Sequence, residues 1–235
     1  VMPTDVESQC KITPDQLRAA ITPRTKAILF NSPSNPTGMV YTREELEALA
    51  TVILETRIIL ISDELYEKIL FDGRRHHSIA AICDGMQERS IIVNGLSKAY
   101  CMTGWRLGFA AGPQDVMDGV AKFQGQSVMH PSAITQYAGV AALTGKEDFI
   151  GGMVEEFSVR RTYIVDRFGS MDGVTCINPG GAFYVFPDFS AHIGRATPSD
   201  GKIEGSLDLA MYFLKSFGVV TVPGVAFGGE GCIRL

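Results

Sequence analysis

Ser90-Ile91-Ile92-Val93-Asn94-Gly95-Leu96-Ser97-Lys98 opens as an apolar, β-branched run and breaks at Gly95 into a polar loop. Such a run predicts a buried strand, Ser90 to Asn94, with Lys98 just past its carboxyl end. The same figure stands twice upstream. Lys26 to Asn31 predicts a strand that runs into Ser32-Pro33-Ser34-Asn35-Pro36-Thr37-Gly38, a loop dense in turn formers, and Arg57 to Ser62 predicts another that ends at Asp63. Thr13-Pro14-Asp15-Gln16 and Thr42-Arg43-Glu44-Glu45 are capping boxes, the second opening a helix toward Glu55. Leu107 to Gly112 reads as a further strand; Gln114 to Gln124, Ser132 to Leu143 and Glu147 to Phe168 read as helices. In the last, Ile150, Met153, Val154, Phe157, Ile164 and Phe168 fall mostly at three- and four-residue spacing, which turns one face to a core.

Strands alternating with helices predict an α/β fold, a mostly parallel sheet with helical crossovers. Polar residues then gather beyond strand carboxyl ends, where open α/β sheets bind ligands. From about Tyr163 the pattern changes to short strands (Ala182 to Phe186, Val219 to Val222, Cys232 to Leu235) and one helix near Leu207 to Phe217. This predicts a large unit, residues 1–162, and a smaller α+β unit, residues 163–235, joined through the long helix.

Composition narrows the classes of function. The 235 residues are 46% apolar and 20% charged, with mean hydropathy +0.12, as in a globular protein and unlike a disordered or collagen-like one. A formal charge of −5 and a pI near 5.4 argue against a nucleic-acid or anionic-membrane surface, since both need clustered positive charge. No apolar run approaches the roughly 20 residues that span a bilayer. Val1-Met2-Pro3-Thr4-Asp5 shows no secretory signal. The five cysteines, Cys10, Cys83, Cys101, Cys176 and Cys232, are odd in number and hold no C-x-x-C pair, which fits a reducing cytoplasm. The missing initiator Met and the apolar last residues, Cys232 to Leu235, read as an internal fragment.

Four polar positions lie on separate loops: Asn35, the pair Asp63 and Tyr66, Lys98, and Arg106. Singly, each has a structural explanation. Asn35-Pro36 is a common turn dipeptide, Asp63 suits a helix N-cap with Tyr66 as core, and a loop lysine or arginine is usually solvated. His76-His77, His130 and His192 show no metal-ligand spacing and read as loop or surface groups, so no metal is expected. Trp105 and Phe109 read as packing around the lysine loop. Gly180-Gly181 and Gly228-Gly229-Glu230-Gly231 read as turns, because no helix follows to make a phosphate loop.

Read together, Gly95-Leu96-Ser97-Lys98-Ala99-Tyr100-Cys101-Met102-Thr103-Gly104-Trp105-Arg106-Leu107-Gly108 resembles the lysine signature of the class I/II pyridoxal-phosphate aminotransferases of fold type I. Asn35-Pro36-Thr37-Gly38 resembles that family's N-P-x-G loop and Asp63-Glu64-Leu65-Tyr66 its D-E-x-Y segment. Gly181-Ala182-Phe183-Tyr184, Val222-Pro223-Gly224 and Ile233-Arg234-Leu235 follow in the family's order, so the resemblance runs along essentially the whole chain. The bacterial aspartate aminotransferases are nearest in pattern, and Ile193 to Lys202 resembles an insertion of that branch.

The resemblance implies pyridoxal 5'-phosphate as cofactor. Lys98 is then the amine that forms its Schiff base and afterwards moves a proton at the substrate. Asp63 implies the carboxylate against the pyridine nitrogen, and Tyr66 and Asn35 the donors to the ring hydroxyl. Arg106 implies the phosphate fork, and Arg234, assisted by Asn35, the clamp for the substrate carboxylate. Many members carry a serine where Gly95 stands, and Ser97 is its substitute here. Gln124 to Ser132 resembles a segment of the dimer interface, which implies a homodimer. The family's phosphate loop and stacking aromatic ring precede the N-P-x-G loop, and no residues before Asn35 match them; this chain alone is expected to be a weak catalyst. Three rivals remain open: a β-lyase, a cyclopropane-forming synthase of the same fold, and a non-catalytic ligand-sensing domain of a regulator.

Overall fold

Strands β1 (Ala27–Asn31), β2 (Ile59–Asp63) and β3 (Ser90–Gly95) pair parallel, and β4 (Gly108–Ala111) joins β3 antiparallel, in the order β1-β2-β3-β4. The structure, a computed structural model, describes residues 1–198 and 201–235. In the register Asn31 stands beside Asp63, and Asp63 beside Val93, so three loops leave one end of the sheet from neighbouring positions. The expected mostly parallel α/β architecture is present, with β4 as its antiparallel edge.

Helix α1 (Pro14–Ala20) starts at the Thr13 capping box, and α2 (Arg43–Leu54) at that of Thr42, where the Glu45 amide donates to Thr42 Oγ1 and the Thr42 amide to Glu45 Oε2. The buried stripe of α2, Leu46, Leu49, Ala50, Val52 and Ile53, covers Ile28, Phe30 and Leu60 on one face of the sheet. Burial alternates along β1, because successive side chains point to opposite faces: Phe30 is buried, whereas Leu29 is 75% exposed. Asp63 shares the face of Leu29 and Val93.

Downstream come α3 (Gln114–Ser127), α4 (Ala133–Thr144), capped by Ser132, and α5 (Asp148–Gly169). The first half of α5 sends Ile150, Met153, Val154 and Phe157 among Leu65, Tyr66, Leu96 and Phe183, while Ile164, Val165 and Phe168 pack with Val185, Phe189, Leu209 and Ile233. Buried Arg161 ties α5 to both surroundings, donating to the two carboxylate oxygens of Asp72 at 2.7 Å and to the Pro179 carbonyl at 3.0 Å.

The C-terminal part holds β5 (Ala196–Thr197), β6 (Gly201–Lys202), α6 (Ser206–Phe217), β7 (Val222–Pro223) and β8 (Ile233–Arg234). Of the Ile193 to Lys202 segment, Ser199 and Asp200 lie outside the described residues. The strand expected over Ala182 to Phe186 does not form. Ala182 takes φ +57°, and the run bonds one neighbour after another, Ala182 to Ile69 and Val185 to Leu235, instead of one partner strand. The strand expected from Val219 shrinks to Val222–Pro223, because α6 ends at Gly218 with φ +67° and the Val219 amide turns back to the Phe213 carbonyl. All five cysteines are unpaired, and among the described residues no helix is long and apolar enough to cross a membrane.

Candidate functional site

The loop after β1 is pinned from both sides. Asn31 donates through Nδ2 to the Asp63 carbonyl at 2.9 Å and accepts through Oδ1 from the Asn35 amide at 2.7 Å, which fixes Asn35 to the end of β2. Gly38 accepts from the amides of Gly180 and Gly181 at 2.9 Å, and its φ of +69° with Pro179 and Gly181 pressed close leaves room for no side chain. The turn expected at Gly180-Gly181 is thus a buried crossing of two loops.

The loop after β2 carries Asp63 and Tyr66. Asp63 Oδ1 accepts the Leu65 amide at 3.1 Å. Below it, Glu64 is 3% exposed and accepts Ser62 Oγ at 3.0 Å and Ser78 Oγ at 2.8 Å on one oxygen, while His76 Nε2 lies 2.9 Å from the other. His76 lies on a loop, as expected, but is half-buried as part of this brace rather than standing at the surface. Glu67 completes a set of three ligand-type atoms within 4.8 Å, but both oxygens of Glu64 are already committed to hydrogen bonds.

The loop after β3 carries Lys98. Leu96, almost wholly buried, bonds back to the Leu107 carbonyl and accepts from the Tyr100 amide, so the turn holding Ser97 and Lys98 hangs from a core residue. At Gly95 a Cβ would meet the Leu107 carbonyl at 2.9 Å and Gly108 Cα at 3.1 Å; this close approach of β3 and β4 is what a serine would disturb. Lys98 Nζ lies 5.9 Å from the Tyr66 ring centroid and 5.6 Å from that of Phe183.

The C-terminal part reaches the same place. Arg234 donates from Nη1 to Asn35 Oδ1 at 2.9 Å, and its guanidinium stacks over Tyr184 at 4.7 Å and Phe227 at 5.1 Å. The hydroxyls of Tyr184 and Tyr66 are 2.8 Å apart. Burial above all, then the hydrogen bond to Tyr184 and the Asp63 carboxylate, push the Tyr66 phenol well above its ordinary range, while the charge of Arg234 pulls it down.

Asn35, Asp63, Tyr66, Lys98 and Arg234 thus form one neighbourhood. Arg106 stands aside: it is exposed, takes φ +54° and donates from Nη1 to the Thr103 carbonyl. Ser97 is half-buried on the Lys98 turn. Trp105 and Phe109, expected to pack, are 43% and 49% exposed. Residues not singled out beforehand complete the cluster: Asn31, Glu64, Phe183, Tyr184 and Phe227. Tyr184 had a signal in the Gly181 to Tyr184 motif; Phe227 had none, because its contact depends on a tight crossing at Gly224.

A family model described as aminotransferase class I and II matches residues 1–235. The aspartate/prephenate aminotransferase of Cereibacter sphaeroides is 46% identical over 224 residues, which cover 95% of this chain and 56% of that protein. The crystal structure of the aspartate aminotransferase from Rhizobium meliloti superposes with a TM-score of 0.94 at 40% identity, over 99% of this chain and 58% of its own. The aromatic aminotransferase of Pyrococcus horikoshii superposes at 0.90 with 39% identity, over 100% of this chain and 61% of its own. The chain spans little more than half the length of these relatives.

Proposed function

Because the chain belongs to the class I and II aminotransferases, a family that depends on pyridoxal phosphate, we propose that the full-length protein moves an amino group between an L-amino acid, aspartate foremost, and a 2-oxo acid. One observation carries the reading: Lys98 Nζ makes no hydrogen bond or ion pair among the described residues, and lies half-buried beside the rings of Tyr66 and Phe183. A half-buried amine without a carboxylate of its own suits capture of a carbonyl better than support of the fold. The site residues therefore fit the cofactor.

When bound, pyridoxal phosphate supplies a ring that draws off the negative charge generated at the substrate Cα. Lys98 would hold it at its aldehyde group, and the same amine would serve as base and acid for the proton at the substrate Cα. Asp63 would be the carboxylate that keeps the pyridine nitrogen protonated. Tyr66 would donate to the ring hydroxyl, and Asn35 would assist through its side-chain Nδ2–H, since its Oδ1 accepts from Arg234 and its backbone N–H donates to Asn31. Arg234, oriented on that oxygen, forks onto the substrate carboxylate. Arg106 and Ser97 would serve the phosphate, Arg106 with the guanidinium nitrogens other than the Nη1 that donates to the Thr103 carbonyl.

Aspartate is favoured by the names of two of the relatives and by the Ile193 to Lys202 resemblance. A homodimer is supported by Ile134, Tyr137 and Val140 of α4, apolar and 75%, 79% and 60% exposed. A cytoplasmic location rests on the family and the unpaired cysteines. The division at residues 162 and 163 is supported by the separate apolar clusters at the two ends of α5. The test is borohydride reduction of the full-length holoprotein, followed by peptide mapping and by assay of aspartate, phenylalanine and alanine against 2-oxoglutarate. Label on Lys98 with aspartate fastest is expected; label elsewhere sinks the site, and a strong preference for another donor sinks the substrate.

A further inference from the structure

We propose that Tyr184 is the positioning residue that couples the carboxylate clamp at Arg234 to the phenol of Tyr66. The inference rests on the function proposed above and assigns a task to a side chain that function leaves unused. Tyr184 has two handles in two directions. Its hydroxyl sits 2.8 Å from the Tyr66 hydroxyl, and its ring face carries the Arg234 guanidinium 4.7 Å from the centroid.

The handles divide the work. Tyr66 has a single proton to give; if that proton goes to the cofactor's ring oxygen, the bond between the two hydroxyls runs from Tyr184 to Tyr66. A donor behind a donor strengthens it, because hydrogen bonds in series polarise one another. The ring face acts separately, holding the guanidinium, together with the Phe227 ring, at a fixed place beside Asn35. The charged and titratable groups bearing on Tyr66 are Asp63, Tyr184, Arg234 and Lys98. Tyr184 is the one that touches both Tyr66 and Arg234. Its backbone is set by Ala182, wholly buried, in the left-handed region and bonded to the Ile69 carbonyl.

The two handles separate in two variants of the full-length holoprotein. Tyr184→Phe removes the hydroxyl and keeps the ring; Tyr184→Leu removes both. The first readout is the pH midpoint of the cofactor's visible band. A donor that holds negative charge on the ring oxygen makes the Lys98 nitrogen give up its proton more readily, so loss of the Tyr184 hydroxyl raises the midpoint, by about 0.3–0.5 pH unit in both variants. The second is the Kd of succinate, an unreactive dicarboxylate, followed by the same band. Tyr184→Phe should leave it within about two-fold of the native value, whereas Tyr184→Leu should weaken it about five-fold or more. An unmoved midpoint in Tyr184→Phe, or equal loss of succinate binding in both variants, overturns the assignment. Absence of any pH-dependent band in the unaltered holoprotein defeats the functional reading itself, a distinct result.

Discussion

Asn35, Asp63 and Lys98 leave the ends of strands that run four to six residues in register, whereas Tyr184 and Arg234 ride on chain that pairs through two-residue strands and single backbone bonds. Each side solves the same problem of holding polar groups at fixed positions. On the sheet side the ladder does it, with a buried polar brace under Asp63 and a buried apolar anchor, Leu96, beside Lys98. On the C-terminal side aromatic faces do it, with Tyr184 and Phe227 around one guanidinium. Substitutions on the sheet side should therefore unsettle the whole fold, while those on the other side should alter binding with little change in stability.

The largest expected effect tests the brace. Glu64→Ala strips Ser62 and Ser78 of their acceptor and leaves the buried Ser62 hydroxyl unpaired beside Asp63. The cost should be about 3–4 kcal/mol, read as a lowered urea midpoint. Phe227→Leu, on the other side, should cost far less while weakening succinate binding. Equal destabilisation by the two would erase the contrast.

Gly95→Ser restores the residue many family members carry, yet here a Cβ would press on the Leu107 carbonyl and Gly108 Cα. The expected loss is about 2 kcal/mol from overpacking, measured by the same denaturation. A neutral substitution would mean that β3 and β4 separate easily, and that the ladder is looser than the contrast requires.

How much of this was legible in the sequence follows the same division. Asn35, Asp63 and Lys98 stand out as candidates only through the family motifs that hold them, whereas the sheet strands and the α2 cap are readable because period and capping chemistry are local signals. Thr42→Ala checks the most local of them: without the cap bond to Glu45 the chain should lose about 1 kcal/mol. In the C-terminal part local signals and tertiary pairing part company. Ala182 to Phe186 has strand composition, but a left-handed Ala182 and successive partners break it. Glu64 and His76 carry no local signal of the brace, because it forms only when the loop holding His76 and Ser78 folds onto the end of β2. Arg234 was found through the motif around it, whereas Phe227, which meets it through a tight crossing at Gly224, has no signature of its own.

The smallest effect probes the tie between the sides. Arg161, on α5, grips Asp72 through both carboxylate oxygens, and its guanidinium holds the Asp72 carboxyl below its ordinary value. A depressed folded value means that the pair adds stability above the unfolded value, about 3.9, and that this contribution is lost as pH falls through the folded value. Asp72 is half exposed, so solvent screens the pair, and Asp72→Asn should cost only about 0.5–1 kcal/mol at pH 7. The gap between variant and native chain should close as the pH drops below about 4, because the native carboxyl then becomes neutral as well. Denaturation midpoints taken from pH 7 to pH 3 would show it. A gap that stays constant over that range would mean that Arg161 is held by the Pro179 carbonyl and the Phe71 ring, and that the two sides are joined without help from charge.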